Sequence, residues 1–169
     1  MKYAFLFVTL AWLGTTAPAG EREYRLRLYH THTNERLEIV YRHGERYDTS
    51  ALLQLNRFLR DHRTGEVHEF DPRLFDLLFD LTRTAGHANT EIQVICGYRS
   101  RWSNEFLRTT TSGVSQNSLH MRAEAIDIRL AGVKTSDARR AALRLARGGV
   151  GYYPDSNFIH VDIGRVRRW

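Results

Sequence analysis

The sequence predicts an α+β domain in which helices pack a largely antiparallel sheet that begins with an N-terminal β-hairpin. Three observations carry this expectation. Two short runs of period-two alternation flank a polar turn near the start. Two strongly amphipathic helical stretches follow. Beyond residue 90, short apolar strand-like runs mix with helical ones, without the regular strand–helix alternation of a parallel sheet.

The elements follow in order. "YRLRLYH" (24–30) and "ERLEIVY" (35–41) alternate around "THTN" and form the hairpin. "TSALLQLNRFLRDH" (49–62) sets Leu52, Leu53, Leu55, Phe58 and Leu59 on one helical face, with Thr49 or Ser50 as N-cap. "DPRLFDLLFDLTRTAG" (71–86) has Asp71 as cap, Pro72 at the first helical position and Gly86 at the end. "EIQVICGYRS" (91–100) is a strand that becomes a loop at Gly97, and "WSNEFLRTT" (102–110) is a short helix leading into the loop "TSGVSQNS". "AEAIDIRL" (123–130) alternates as a strand, with Ala125, Asp127 and Arg129 on one face and Ile126, Ile128 and Leu130 on the other. "TSDARRAALRLARGG" (135–149) is an amphipathic helix with a glycine stop, and "VGYY" and "NFIHVDIG" supply the last two strands.

Residues 1–19 are of another kind. Lys2, an apolar run from Tyr3 to Leu13 and small residues ending in Ala17-Pro18-Ala19 give the layout of a secretory signal peptide cleaved after Ala19. The apolar run is too short to span a bilayer, which takes about 20 residues. The expected organisation is therefore a leader at 1–19 and one domain at 20–169, exported to the periplasm without a stable membrane anchor once the leader is removed. The formal charge is +6, and cleavage removes only the charge of Lys2. The basic residues are scattered, densest in "RVRRW", with no aromatic-interleaved stripe of a nucleic-acid binder. An exported basic surface suits an anionic wall polymer. Cys96 is the lone cysteine, so no intramolecular disulfide forms, and its place after "EIQVI" suits a small buried hydrophobe.

His120, Asp127 and His160 are the residues of chemical interest. Catalytic zinc commonly takes three ligands from histidine and carboxylate and leaves a fourth position for water. His120 precedes a turn, Asp127 lies on the strand leaving it, and His160 joins them if the last strand is a neighbour. Eight histidines offer many accidental trios, so spacing alone does not select this one. His160 and Asp162 are two apart on a strand and point to the same face, which serves a ligand with its proton acceptor, a ligand with its orienting partner, or an ordinary exposed face.

"SLHMRAEAID" resembles the S-x-H-x-x-G-x-A-x-D signature of the LAS zinc metallopeptidases (lysostaphin, D-Ala-D-Ala peptidase, hedgehog). "GYRS", with Asn104 five residues beyond Arg99, is similar to the upstream substrate-side motif of that superfamily. Within it, "LYHTHTNERLEIVY", "LNRFLRDHRTGEVHEFDPRLFDLL", "SGVSQNSLHM" and "VGYYPDSNFIHVDIGRVRRW" resemble the MepK/YcbK-like periplasmic murein endopeptidases. The resemblance implies a hedgehog/D-Ala-D-Ala peptidase-like fold and a zinc ion, Zn2+, held by His120, Asp127 and His160. It gives Arg99 to substrate carboxylate or the scissile carbonyl, and Ser118 to support of the site. Tyr98, Tyr152 and Tyr153 are candidates to line the groove. The implied substrate is the peptidoglycan stem peptide, cut between two meso-diaminopimelate residues or at D-Ala–diaminopimelate bonds. A carboxypeptidase trimming D-Ala and a non-catalytic wall-binding domain are the rival readings.

Two departures from the pattern matter. Asn157 stands where D-Ala-D-Ala peptidases carry an acidic residue three before the last ligand, so the base role passes to Asp162, with Asp155 and Glu124 behind it. Ala123 replaces the motif glycine.

Overall fold

The computed structural model describes residues 21–111 and 113–169, so the expected leader at 1–19 lies outside the described residues. Strands β1 (Glu23–His30) and β2 (Arg36–His43) form the hairpin, and the two-residue β3 (Arg46–Tyr47) extends it. Helix α1 (Thr49–Phe58) follows, but Asp48 rather than Thr49 or Ser50 caps it, its side chain accepting from Ala51 N–H. Helix α2 (Pro72–Thr84) is capped by Asp71, and Gly86 beyond it adopts φ 80°. Next come β4 (Ile92–Cys96), α3 (Arg101–Thr110), a 3₁₀ turn at Leu119–Arg122, β5 (Ala125–Leu130) and α4 (Thr135–Leu145). Strands β6 (Gly149–Tyr153), β7 (Phe158–Asp162) and β8 (Arg167–Arg168) close the chain.

Among the described residues, eight strands join one sheet in the order β3-β2-β1-β4-β5-β7-β6-β8. Only the β1–β4 and β6–β8 pairs are parallel. The α+β expectation therefore holds, with a largely antiparallel sheet. One face carries Leu26, Leu28, Ile92, Val94, Ile126, Ile128, Ile159 and Val161 into a core shared with Leu55, Leu74, Leu78 and Ala141 of the helices. The strand alternation that buries these residues turns their neighbours on β5 and β7 to the opposite face, where the site lies.

Two departures from the sequence reading concern the C-terminal third. Helix α4 stops at Leu145, with Ala146 left-handed at φ 51°, and Gly148-Gly149 is not its stop signal. These glycines belong to the approach of β6 to β7: a Cβ on Gly148 would meet Asp162 O at 1.7 Å, and one on Gly149 would meet Asp162 Oδ2 at 2.4 Å. The short β8 was not anticipated either. It pairs with β6, and hydrogen bonds from Trp169 N–H to Val150 O and from Tyr152 N–H to Trp169 O fasten the chain end to that strand. No helix among the described residues is long and apolar enough to cross a membrane.

Candidate active site

Sheet register delivers two of the site residues. β5 and β7 run antiparallel with Asp127 opposite His160 and Ala125 opposite Asp162. His120 comes from the 3₁₀ turn ahead of β5. Ser118 caps that turn, its Oγ accepting from His120 N–H at 3.3 Å, and Ala123 ends it at φ 53°. The left-handed backbone there costs a residue with a Cβ about 1 kcal/mol. Ala123 thus adopts the conformation that suits the motif glycine, and the turn is preserved.

Three donor atoms converge. Asp127 Oδ1 lies 2.9 Å from His160 Nδ1 and 3.2 Å from His120 Nε2, and the two nitrogens are 3.1 Å apart. Four-coordinate zinc with ligands at about 2.0–2.2 Å places neighbouring donors about 3.3–3.6 Å apart, so an outward shift of a few tenths of an ångström admits the ion. The opposite ring nitrogens fix the tautomers. His120 Nδ1 faces Gly97 O at 2.9 Å and His160 Nε2 faces Asp162 Oδ2 at 3.0 Å, so each outer N–H donates to an oxygen. Both inner nitrogens then turn lone pairs toward each other and toward a carboxylate. That arrangement calls for a cation. The same demand shows in protonation: burial pushes His120 down, but the Asp127 carboxylate and Cys96 hold its imidazolium well above the usual range. Burial pushes Asp127 up, and His120 pulls its carboxyl below the usual range. The donor set fits zinc.

Asp162 sits behind this trio and is fully buried. Its Oδ1 accepts from Gly149 N–H at 2.8 Å, Gly164 N–H at 2.9 Å and Arg167 Nη1 at 3.1 Å. Its Oδ2 accepts from His160 Nε2 at 3.0 Å and Arg167 Nη2 at 2.7 Å. Burial opposes its charge, but the His160 and Arg167 bonds hold the carboxyl below the usual range. Every lone-pair direction is engaged, and the carboxylate lies on the far side of the His160 ring from the convergence point. This is the geometry of a group that orients a ligand, whereas the sequence reading gave Asp162 the proton-acceptor role.

A cleft of ≈ 580 Å³ opens over the trio, walled by Arg99, Ser118, Tyr153, Phe158, Arg167 and Trp169 among others. Arg99 reaches it from the loop after β4, its Nη2 3.7 Å from Asp127 Oδ2 and 3.5 Å from Cys96 Sγ. Asn104 steadies it, its Oδ1 accepting from Nη1 at 3.4 Å while its Nδ2 donates to Ser115 O. Of the three candidate groove tyrosines, only Tyr153 lines the cleft. Tyr98 is a correction: it is 6% exposed, its hydroxyl donates to Glu66 at 2.8 Å, and it is absent from the cleft wall because β4 directs it toward the loop before α2. Tyr152 packs under Arg139.

The weaker base candidates lie elsewhere too. Glu124 pairs with Arg122, and neither it nor Asp155 walls the cleft. Asn157 is left-handed at φ 52° in the β6–β7 turn and takes a hydrogen bond from Thr135, so its identity answers to the turn.

Cys96 is the site residue that the sequence did not place. A bulge between Val94 and Cys96 shifts register so that Cys96 pairs with Asp127 instead of continuing on the core face with Ile92 and Val94. Its Sγ lies within 4.8 Å of donor atoms on His120 and Asp127. The His120–Asp127–His160 set is tighter, and Cys96 Sγ is turned to Gly97 O and Arg99. Arg167 and Trp169 were visible only as members of a basic tail. Trp169 covers His160 with ring centroids 5.2 Å apart and donates its indole N–H to the Tyr153 hydroxyl.

Comparison with known proteins finds relatives over most of the chain. The family model described as peptidoglycan L,D-endopeptidase MepK matches residues 18–169. The probable peptidoglycan L,D-endopeptidase MepK of Haemophilus influenzae is 44% identical over 137 residues, covering 81% of this chain and 74% of that protein. The peptidoglycan L,D-endopeptidase MepK of Escherichia coli K12 is 40% identical over 144 residues, covering 85% of this chain and 79% of that protein. No solved structure matches significantly.

Proposed function

The chain belongs to the peptidoglycan L,D-endopeptidase MepK family, and from that premise we propose a zinc-dependent murein endopeptidase that cuts stem-peptide cross-links between two meso-diaminopimelate residues. The observation that carries the metal is the convergence of two imidazole lone pairs and a carboxylate oxygen within 2.9–3.2 Å, each imidazole tied behind to an acceptor. The choice of bond is supported by the relatives' printed name. A diaminopimelate–diaminopimelate link joins an L centre to a D centre, whereas a D-Ala–diaminopimelate link joins two D centres. We also propose that residues 1–19 are a secretory leader and that the domain works in the periplasm.

His120, Asp127 and His160 are the proposed ligands. Zinc held there supplies Lewis acidity to a carbonyl and lowers the pKa of water toward about 7. The remaining work falls to this chain's own groups. Gly97 O and the Asp162 carboxylate keep the two imidazoles in the tautomers that leave their inner nitrogens free. Arg99 presents its planar fork to the scissile carbonyl oxygen or to a flanking diaminopimelate carboxylate. Among the described residues Asp127 is the one acidic side chain on the cleft wall, against Arg99 and Arg167, a balance that suits a stem peptide with free carboxylates. Ser118 shapes the His120 turn and Tyr153 walls the substrate path.

The test uses purified cross-linked muropeptides of both linkage types. Hydrolysis of the diaminopimelate–diaminopimelate dimer should stop on chelation, return with zinc, and be absent in His120→Ala. Undiminished cleavage by chelated enzyme would remove the metal from the mechanism. Preference for the D-Ala-linked dimer would overturn the assigned bond, and release of free D-alanine alone would make the protein a carboxypeptidase.

A further inference from the structure

Helix α3 is built inside out. Its buried residues are Ser103 and Asn104, while Trp102 and Phe106 stand 61% and 45% exposed. The two rings lie one helical turn apart, stacked with centroids 5.5 Å apart and planes within 5°, so the planes are parallel and each ring turns an outer face to solvent. The polar side of the helix is turned inward: Ser103 and Asn104 are buried, and the Asn104 side chain bridges Arg99 and Ser115. A surface helix ordinarily turns its apolar stripe to the core. Here the aromatic stripe is left for something outside the chain.

We propose that Trp102 and Phe106 form a stacking platform for the glycan strand of peptidoglycan, seating a sugar ring while its stem peptide enters the cleft. The proposal rests on the peptidoglycan reading above. Three considerations single out a sugar. The apolar C–H face of a pyranose matches an aromatic face, and exposed Arg101 and the Arg108–Glu105 pair flank the rings with groups for hydroxyls.

Reach agrees. Arg99, three residues before Trp102, and Thr111, five after Phe106, both wall the cleft. Those separations are at most about 11 Å by Cα spacing and about 8 Å along the helix. Three or four extended stem-peptide residues span at most about 10–14 Å. The cleft is therefore within reach of the stem peptide of a glycan held on α3. Size argues against a second copy, because two aromatic side chains offer about 150–250 Å² each, well short of about 800 Å² per partner in a stable dimer.

Two measurements test the platform. Chitotetraose, which carries no peptide, should shift the tryptophan fluorescence of the full chain saturably, a shift lost in Trp102→Ala but kept in Trp169→Phe, and Phe106→Ala, which keeps the fluorophores, should weaken the titration several-fold. Cross-linked dimers are then compared with and without their disaccharides. The wild-type kcat/KM ratio of sugar-bearing to sugar-free dimer should be about ten, falling toward one in Trp102→Ala and Phe106→Ala. A wild-type ratio of one, an unchanged ratio in both variants, or no chitotetraose titration would overturn the proposal. So would loss of binding to anionic vesicles, or loss of a dimer, as the main effect of Trp102→Ala. If the wild type cuts neither dimer, the peptidase reading fails, while the chitotetraose titration still reads the platform.

Discussion

Asp162→Asn separates the two roles that Asp162 can hold. The substitution keeps size and places an amide nitrogen where one carboxylate oxygen was. At the Oδ2 position that nitrogen faces His160 Nε2 and Arg167 Nη2, which lie 3.0 and 2.7 Å from the oxygen. At the Oδ1 position it faces the Gly149 and Gly164 N–H groups at 2.8 and 2.9 Å, with Arg167 Nη1 at 3.1 Å. Either orientation sets donors against donors around a side chain that is fully buried. Breaking a buried ion pair costs about 3–5 kcal/mol. The Arg167 side chain is 33% exposed and can turn to water, so the lower end, about 3 kcal/mol, applies. For a domain of this size that lowers Tm by about 6–12 °C. With the nitrogen at the Oδ2 position His160 also loses the acceptor that fixes its tautomer, and zinc affinity should fall about 10–100-fold. Melting curves, zinc competition against a chromogenic chelator, and hydrolysis at saturating zinc read the three effects separately. Activity should recover substantially once zinc is saturating. A variant that binds zinc as tightly as wild type and yet turns over nothing would refute the orienting role and restore Asp162 as proton acceptor.

Three other outcomes follow from the structure. Arg99→Lys loses the planar fork and should lower kcat/KM about 10²-fold with zinc content unchanged; retention of more than a tenth of the activity would release Arg99 from oxygen stabilisation. Asp61→Asn weakens the bond from Ser100 N–H at 2.8 Å that anchors the Arg99 loop. Burial opposes the Asp61 charge, but bonds from Ser100, Ser103 and Arg63 bring its carboxyl down to about 2. Its stabilisation of about 2 kcal/mol is therefore full above about pH 4 and is lost as pH falls toward 2, so melts of wild type and variant should converge at low pH. His30 is fully buried, and burial, with His32 nearby, lowers its imidazole to about 4. The unfolded chain takes up that proton near pH 6.5, so stability is full above 6.5 and falls by about 3 kcal/mol on the way to pH 4. His30→Leu should flatten that slope in denaturant titrations; an unchanged slope would assign it to other groups.

What the sequence could reveal depended on whether a residue's place is set locally or by pairing. Asp127 and His160 were legible because period-two alternation fixes the face of a strand residue, and their neighbours Ile126, Ile128, Ile159 and Val161 are apolar enough to fix which face is core. His120 was legible through its motif, and Ser118 keeps the turn that the motif implies. Cys96 was not, because its face depends on a bulge, and one extra residue in a ladder reverses every inward and outward assignment beyond it. α3 was legible as a short helix, yet the sequence did not say that its polar side, Ser103 and Asn104, would be the buried one.

The orienting place that the structure gives Asp162 was hidden from the sequence for a related reason. His-x-Asp on a strand says that both side chains share a face, and it leaves open which side of the imidazole the carboxylate meets. That was decided by residues far from the motif in character: two glycines that read as a helix stop and an arginine in a basic tail. Gly149 lets β6 approach closely enough for its N–H to reach Asp162 Oδ1, and β8 brings Arg167 onto both oxygens. A carboxylate enclosed by five donors is poorly suited to accept a sixth proton and well suited to keep the His160 Nδ1 lone pair pointed at a cation. Arg167 and Trp169 are therefore part of the proposed metal site, because Arg167 completes the enclosure and Trp169 covers the His160 ring that it orients.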